Sequence, residues 1–100
     1  MKLITQHIDE IKQICVVNNV KSLFAFGSVA NDNFRPDSDI DLIVEIADND
    51  PLTYADHYFN LKFELEQLLH RQVDLLEQKS IRNPFFKTEI EKTKVLVYGA

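Results

Sequence analysis

Two aspartates, Asp39 and Asp41, open an apolar run and are the residues of this chain best suited to metal chemistry. Side chains at this spacing on a β-strand point to the same face. Two carboxylates held side by side repel each other unless a cation lies between them. Hard divalent cations such as Mg²⁺ prefer oxygen ligands and usually share them with substrate phosphates. The spacing therefore predicts a divalent-metal site at Asp39 and Asp41.

A phosphate-binding turn is predicted at Gly27-Ser28, which directly follows the apolar run Leu23–Phe26. Glycine allows the backbone to approach a ligand closely, and a helix that follows would present free N–H groups to an anion. A short polar connection separates this turn from the two aspartates.

A third carboxylate, Asp74, lies inside the apolar segment Val73–Leu76. A lone buried aspartate is unfavourable unless it is paired or bound to a metal. If this segment is a strand beside the one that carries Asp39 and Asp41, the three carboxylates can meet at one site. The alternative is an edge strand on which Asp74 faces water.

The elements that must position these residues follow from apolar periodicity and from capping residues. Helices and strands alternate in the order αβαβαβαβ, which predicts an α/β (α+β) fold with a small mixed sheet and helices packed on it. The predicted elements are a helix from Ile4 to Cys15 capped by Thr5, a strand over Ser22–Phe26, a short helix or turn over 28–34, a strand over Asp39–Ile46, a helix over Leu52–Arg71, a strand over Val73–Glu77, a helix from Asn83-Pro84 to about Lys92, and a short terminal strand or extended tail over Val95–Tyr98.

Length and composition indicate one domain, over residues 1–100, with a substantial core: 45% of the residues are hydrophobic. The net charge of −5 argues against direct binding of nucleic acid and favours a basic protein partner. The single Cys15 has no partner for an internal disulfide, and no apolar run is long enough to span a membrane. We expect a cytoplasmic protein.

Several polar and aromatic residues are interpreted without a catalytic role. His7, His57 and His70 lack metal-ligand spacing and are expected on the surface or at a partner contact. The segment Asp48-Asn49-Asp50 is expected to be a solvated loop. The residues Tyr54, Tyr58, Phe59 and Phe63 are expected in the core and at a partner interface.

Taken together, Gly27-Ser28, the block Arg35-Pro36-Asp37-Ser38-Asp39-Ile40-Asp41-Leu42 and the later Val73-Asp74-Leu75 resemble the nucleotidyltransferase superfamily that includes DNA polymerase β. The short length of the chain and the residue sequence of the central block resemble those of the minimal (MNT) branch of this superfamily. Members of that branch act as antitoxins beside HEPN-domain ribonuclease toxins. The resemblance implies the nucleotidyltransferase fold.

The resemblance also implies roles for individual residues. Gly27 and Ser28 would hold the phosphates of ATP, together with Arg35, and Asp39 and Asp41 would bind Mg²⁺. Asp74 would be the third carboxylate, which helps to bind metal and activates the acceptor. The implied reaction is Mg²⁺-dependent transfer of AMP from ATP to a hydroxyl, a tyrosine of the partner toxin, with which the chain would form a hetero-oligomer.

The chain departs from the branch at one place and leaves two alternatives open. The branch reads Gly-Ser-x-Ala-Arg-Gly, whereas Ala30 is followed here by Asn31-Asp32, so a basic residue near the phosphates is lost. This change favours an antitoxin that neutralises its toxin by binding alone. The second alternative is an enzyme that modifies a small molecule. Such enzymes add an acceptor-binding domain, which the 100 residues are expected to lack.

Overall fold

The computed structural model describes residues 1–30, 35 and 38–99 as alternating helices and strands. The helices are α1 (Lys2–Gln6), α2 (Ile8–Val17), α3 (Pro51–Leu69) and α4 (Pro84–Thr93), and the strands are β1 (Val20–Phe26), β2 (Ile40–Ile46), β3 (Val73–Glu77) and β4 (Val95–Gly99). Two single 3₁₀ turns, Gly27–Val29 and Gln78–Ser80, follow β1 and β3.

The four strands form one mixed sheet in the order β3-β2-β1-β4. Strand β1 is antiparallel to both β2 and β4, whereas β2 and β3 are parallel. Parallel neighbours need a long crossover connection, and α3 provides it. The predicted mixed sheet with packed helices is confirmed.

The core lies between the inner face of the sheet and helices α1 to α3. Alternate residues of the central strands point to this face, because successive side chains on a strand point to opposite sides. The fully buried side chains of this layer are Ile4, Ile11, Cys15, Leu23, Ala25, Ile40, Leu42, Val44, Leu61 and Leu65. Burial raises the pKa of the Cys15 thiol to about 12, so the thiol stays protonated.

The N-terminal helix differs from the prediction. Instead of one helix capped by Thr5, α1 and α2 are separated at His7. The Thr5 hydroxyl donates to the carbonyl of Met1 (2.9 Å), so it bonds backward within the first turn and does not cap a helix. After α2, the buried Asn18 donates to Ile14 O (2.9 Å) and accepts from the Asn60 amide of α3 (2.8 Å). This pair fixes α2 to α3.

The segment Asp48-Asn49-Asp50 is a loop with Asn49 and Asp50 exposed, as expected, and two of its side chains also make specific hydrogen bonds. Asp50 caps α3 by accepting from the Thr53 N–H (3.0 Å), and Pro51 occupies the first turn. Asp48 accepts from the Asn19 amide (2.6 Å) and pairs with His57. The two bonds hold the end of α2 and the start of α3 together.

The free edge of β3 is closed by side chains of α3. The carbonyl of Gln72 accepts a hydrogen bond from the Ile40 N–H of β2, so the backbone N–H and C=O groups of the alternate residues Val73 and Leu75 point away from β2, to the free edge of β3. The Glu66 carboxylate accepts from the Val73 N–H (2.9 Å), and the Tyr58 hydroxyl donates to the Leu75 carbonyl. These bonds occupy positions at which another strand would pair.

Helix α4 covers the opposite, outer face of the sheet. Its start is the predicted one: the Asn83 side chain accepts from the N–H groups of Phe85 and Phe86 (2.9 and 3.2 Å). Ile90 is buried, and the Lys94 ammonium lies 4.2 Å from the centre of the Phe24 ring. Since Phe24 alternates with the inner residues Leu23 and Ala25, α4 lies on the outer side.

In the part of the chain that the structure describes, the helices do not combine the length and hydropathy that crossing a bilayer requires.

We predict that Asp48→Asn lowers the free energy of unfolding at pH 7. Hydrogen bonds from His57 and then Asn19 hold the Asp48 pKa below its ordinary value of 3.8. The stabilisation is therefore present above that value and is lost as the pH falls through the folded-state pKa. Denaturant unfolding from pH 7 to about pH 2 should show wild type and variant converging in acid. The exposed Asp56→Asn, which makes the same charge change, should show no such convergence.

Candidate active site

Three residues form a row across the outer face of the sheet. Phe26 at the end of β1 pairs with Asp41 of β2, and Asp41 pairs in register with Asp74 of β3. Paired residues of neighbouring strands project to the same face. The condition set for Asp74 to join Asp39 and Asp41, that its strand lies beside β2, is met by the parallel pairing of β2 with β3.

The backbone of Gly27 lies directly against the Asp41 carboxylate. Gly27 has a positive φ of 69°, and a Cβ atom placed on it would lie 2.6 Å from Asp41 Oδ2. Both the conformation and the lack of space require glycine here. The Gly27-Ser28 turn and Asp41, which are 14 residues apart, therefore belong to one site.

The turn after β1 begins at Gly27. A short helix or turn was predicted over 28–34, and the structure has a single 3₁₀ turn at Gly27–Val29 with the Ala30 N–H bonded to Gly27 O (3.2 Å). Ser28 is half-buried beside the glycine. Residues 31–34 lie outside the described part of the chain, so Asn31 and Asp32 are not placed.

The electrostatics of the row centre on Asp41. Its pKa is raised first by burial and then by the charges of Asp74 and Asp39. Each of these effects disfavours the ionised carboxylate, and a bound cation would reverse them. The Asp41 environment therefore fits a cation, and the oxygen donors suit Mg²⁺.

The carboxylates do not form a complete metal cage. Across residues 1–30, 35 and 38–99, no three or more His, Cys, Asp or Glu side chains are gathered closely enough to hold a metal ion. This agrees with the usual coordination of Mg²⁺, which binds one or two protein carboxylates and completes its coordination shell with water and substrate phosphates. The donor set thus fits a metal that arrives with a nucleotide.

Asp39 and Asp74 line an open groove beside this row. Both are exposed: β3 is the edge strand, and Asp74 reaches water, as in the second of the two placements that the sequence left open. The groove has a volume of about 770 Å³, and its other wall carries Lys62, His70 and Arg71. Lys62 pairs with Glu66 (3.1 Å).

Arg35 is exposed, and its described hydrogen bonds join it to Ser38 and not to the carboxylates. The Arg35 N–H donates to Ser38 Oγ (3.2 Å), and the Ser38 N–H donates to Arg35 O (3.0 Å). This turn leads directly into Asp39. Pro36 and Asp37 of the same motif lie outside the described residues.

Sequence reasoning missed two features of the site. It assigned nothing to the aromatic contact between Phe26 and Phe86, although Phe85-Phe86 follows the recognisable Asn83-Pro84 helix start. It also missed the charged wall of the groove, formed by Lys62, Glu66 and Arg71, for which the sequence carries no signal because these residues approach Asp39 only in the fold.

Comparisons with known proteins agree on one family. Residues 9–100 match the family described as "Polymerase beta, Nucleotidyltransferase". Two proteins of Methanocaldococcus jannaschii that carry the name "Putative protein adenylyltransferase" are similar to this chain. One is 40% identical over 78% of this chain and 77% of its own length. The other is 36% identical over 84% and 90%.

Solved structures show the same fold. One described as a "putative minimal nucleotidyltransferase" has a TM-score of 0.75 and 25% identity, covering 91% of this chain and 89% of its own. A complex of a tri-AMPylated Shewanella oneidensis HEPN toxin with its MNT antitoxin has a TM-score of 0.65 and 20% identity, covering 97% and 73%. With the family match over nearly its whole length, this chain belongs to the polymerase β nucleotidyltransferase family.

Proposed function

We propose that this chain transfers AMP from ATP to a hydroxyl of a partner protein in a Mg²⁺-dependent reaction. The observation that carries the proposal is the Asp41 carboxylate, which lies against the Gly27 backbone and in register with Asp74. The name of the relatives, protein adenylyltransferase, supports AMP as the group transferred and a protein as the acceptor. The resemblance to the minimal branch suggests a HEPN-domain ribonuclease toxin and one of its tyrosines.

In this proposal the Gly27-Ser28 turn positions the phosphates of ATP. Glycine leaves room for a phosphate oxygen beside the backbone, and the half-buried Ser28 offers a hydroxyl donor. Arg35, from the exposed turn before Asp39, contributes a positive charge to the same phosphates, a role that rests on the resemblance. Asp39 and Asp41 hold the divalent metal. Bound Mg²⁺ would neutralise charge that develops on the phosphate oxygens.

In this proposal Asp74 activates the acceptor. It lies on the side of Asp41 away from Gly27 and is exposed in the groove, through which a hydroxyl can enter. The hydroxyl oxygen attacks the α-phosphorus and its proton passes to Asp74. A bond forms from that oxygen to the α-phosphorus, the bond from the α-phosphorus to the bridging oxygen breaks, and pyrophosphate leaves in line.

The second candidate function is neutralisation of the toxin by binding alone. It is favoured by Asn31-Asp32, which replace the basic residue of the branch. The intact set of Asp39, Asp41 and Asp74 favours catalysis.

We predict that Asp39→Asn with Asp41→Asn abolishes AMP transfer while the protein remains folded. An amide oxygen carries no charge and is a much weaker ligand of Mg²⁺ than a carboxylate, so the metal is held poorly. Removal of mutual repulsion should leave the metal-free stability unchanged or raised. Release of pyrophosphate and thermal unfolding measure the two effects. The control is Asp9→Asn with Asp56→Asn, which changes the net charge equally away from the site. Full transfer by the site variant would contradict the assignment.

We predict that Gly27→Ala reduces AMP transfer and destabilises the fold by about 1–2 kcal/mol, because alanine is strained at positive φ. The new methyl group also displaces Asp41, since it would lie 2.6 Å from the Asp41 carboxylate oxygen. Activity and denaturant unfolding should be measured together. Asp50→Ala removes the cap of α3 away from the site and serves as a destabilised control. If Gly27→Ala and Asp50→Ala both lose activity in proportion to their loss of stability, the contact between residue 27 and the Asp41 carboxylate has no separate effect on activity.

We predict that a HEPN-domain ribonuclease from the same genome gains one or more AMP units when it is incubated with this protein, ATP and Mg²⁺. Because the modification is covalent, the ribonuclease should stay inactive after this protein is removed. Intact-protein mass spectrometry and a ribonuclease assay on the separated toxin test this. An unmodified toxin that regains activity would support neutralisation by binding alone.

A further inference from the structure

The first turn of α4 presents two aromatic side chains to solvent. Phe85 is 76% exposed and Phe86 is 42% exposed. Leaving large apolar side chains in water forgoes the stabilisation that burial would give. Neither ring belongs to the hydrophobic core, which lies on the other side of the sheet. These rings are therefore available to a ligand.

Phe86 lies beside the row of site residues. Its ring packs edge-on against Phe26, with ring centres 6.2 Å apart and planes at 74°. Phe26 pairs with Asp41 and directly precedes Gly27. The aromatic pair is thus on the same sheet face as Asp41, on the side opposite Asp74.

The rings are carried by a fixed element. The Asn83 side chain accepts from the N–H groups of both phenylalanines, and Ile90 anchors the helix to the sheet. Because Asn83 already occupies these N–H groups, this helix end is poorly suited to bind an anion. It offers a rigid aromatic surface instead.

We propose that Phe85 and Phe86 form the surface against which the nucleobase of the donor nucleotide stacks. The inference rests on the proposed nucleotidyl transfer at Gly27-Ser28 and Asp41. A base has no charge and binds best to an aromatic face, where stacking tolerates any base. The groove beyond Asp74 is lined by charged residues such as Lys62, Glu66 and Arg71, and suits the polar acceptor. The base therefore takes the aromatic side of the carboxylate row, and the acceptor takes the other.

Calorimetric titration of two ligands in the presence of Mg²⁺ tests this inference. ATP has a base, whereas inorganic tripolyphosphate offers only the phosphates. Phe86→Ala and Phe85→Ala should weaken ATP binding, with a loss of roughly ten-fold for the pair, and should leave tripolyphosphate binding unchanged. Phe86→Trp should retain ATP affinity, whereas Phe86→Leu, which is apolar but not aromatic, should not. Phe63→Ala, which removes a 60% exposed ring on α3, is the matched control.

The outcomes separate this inference from the proposed function. If wild type binds ATP but Phe85→Ala and Phe86→Ala do not change its affinity, the base-stacking surface is refuted and the transferase proposal stands. Equal losses for ATP and tripolyphosphate would also refute it, because the effect would then lie at the phosphates. Weaker binding of a protein partner with unchanged ATP affinity would make the rings a protein contact and overturn the inference. A wild-type protein that binds neither ligand would overturn both proposals.

Discussion

The contact between the Asp41 carboxylate and the Gly27 backbone is the constraint on which the site depends. It exists because β1 and β2 are antiparallel and pair Phe26 with Asp41, which brings the end of one strand to the start of the next. Any side chain at position 27 would occupy the space of the carboxylate oxygen. A phosphate-binding turn and a metal-binding carboxylate can therefore share one location only if this residue is glycine.

The same arrangement places like charges together at the edge of the sheet. Asp41 is half-buried beside Asp39 and Asp74, and its raised pKa reflects both its desolvation and these neighbours. This grouping of carboxylates is electrostatically unfavourable, and a bound cation would offset the repulsion between them. Lys62 and Arg71 at the adjacent groove bring positive charge near the acidic cluster. The arrangement is expected where a ligand, not the protein alone, completes the charge balance.

Helix α3 stabilises the site without contributing a proposed catalytic group. Its apolar face packs in the core through Leu61 and Leu65, and its polar groups close the free edge of β3 through Glu66 and Tyr58. Since β3 carries Asp74, these edge bonds also help to hold that carboxylate in register with Asp41. They leave fewer positions for edge-to-edge association.

Features that depend on near neighbours could be predicted from the sequence: the strand alternation around Asp41, the Asn83-Pro84 helix start, the bounds of β3 and the motif that indicates the family. The functional roles of the site residues and the single-domain assignment remain predictions. The break at His7, the exposure of Asp74, the contact of Gly27 with Asp41 and the packing of Phe86 on Phe26 became known only from the folded structure. Periodicity and capping act within a few residues, whereas strand order, register and edge position depend on pairing between distant segments, which local patterns do not specify.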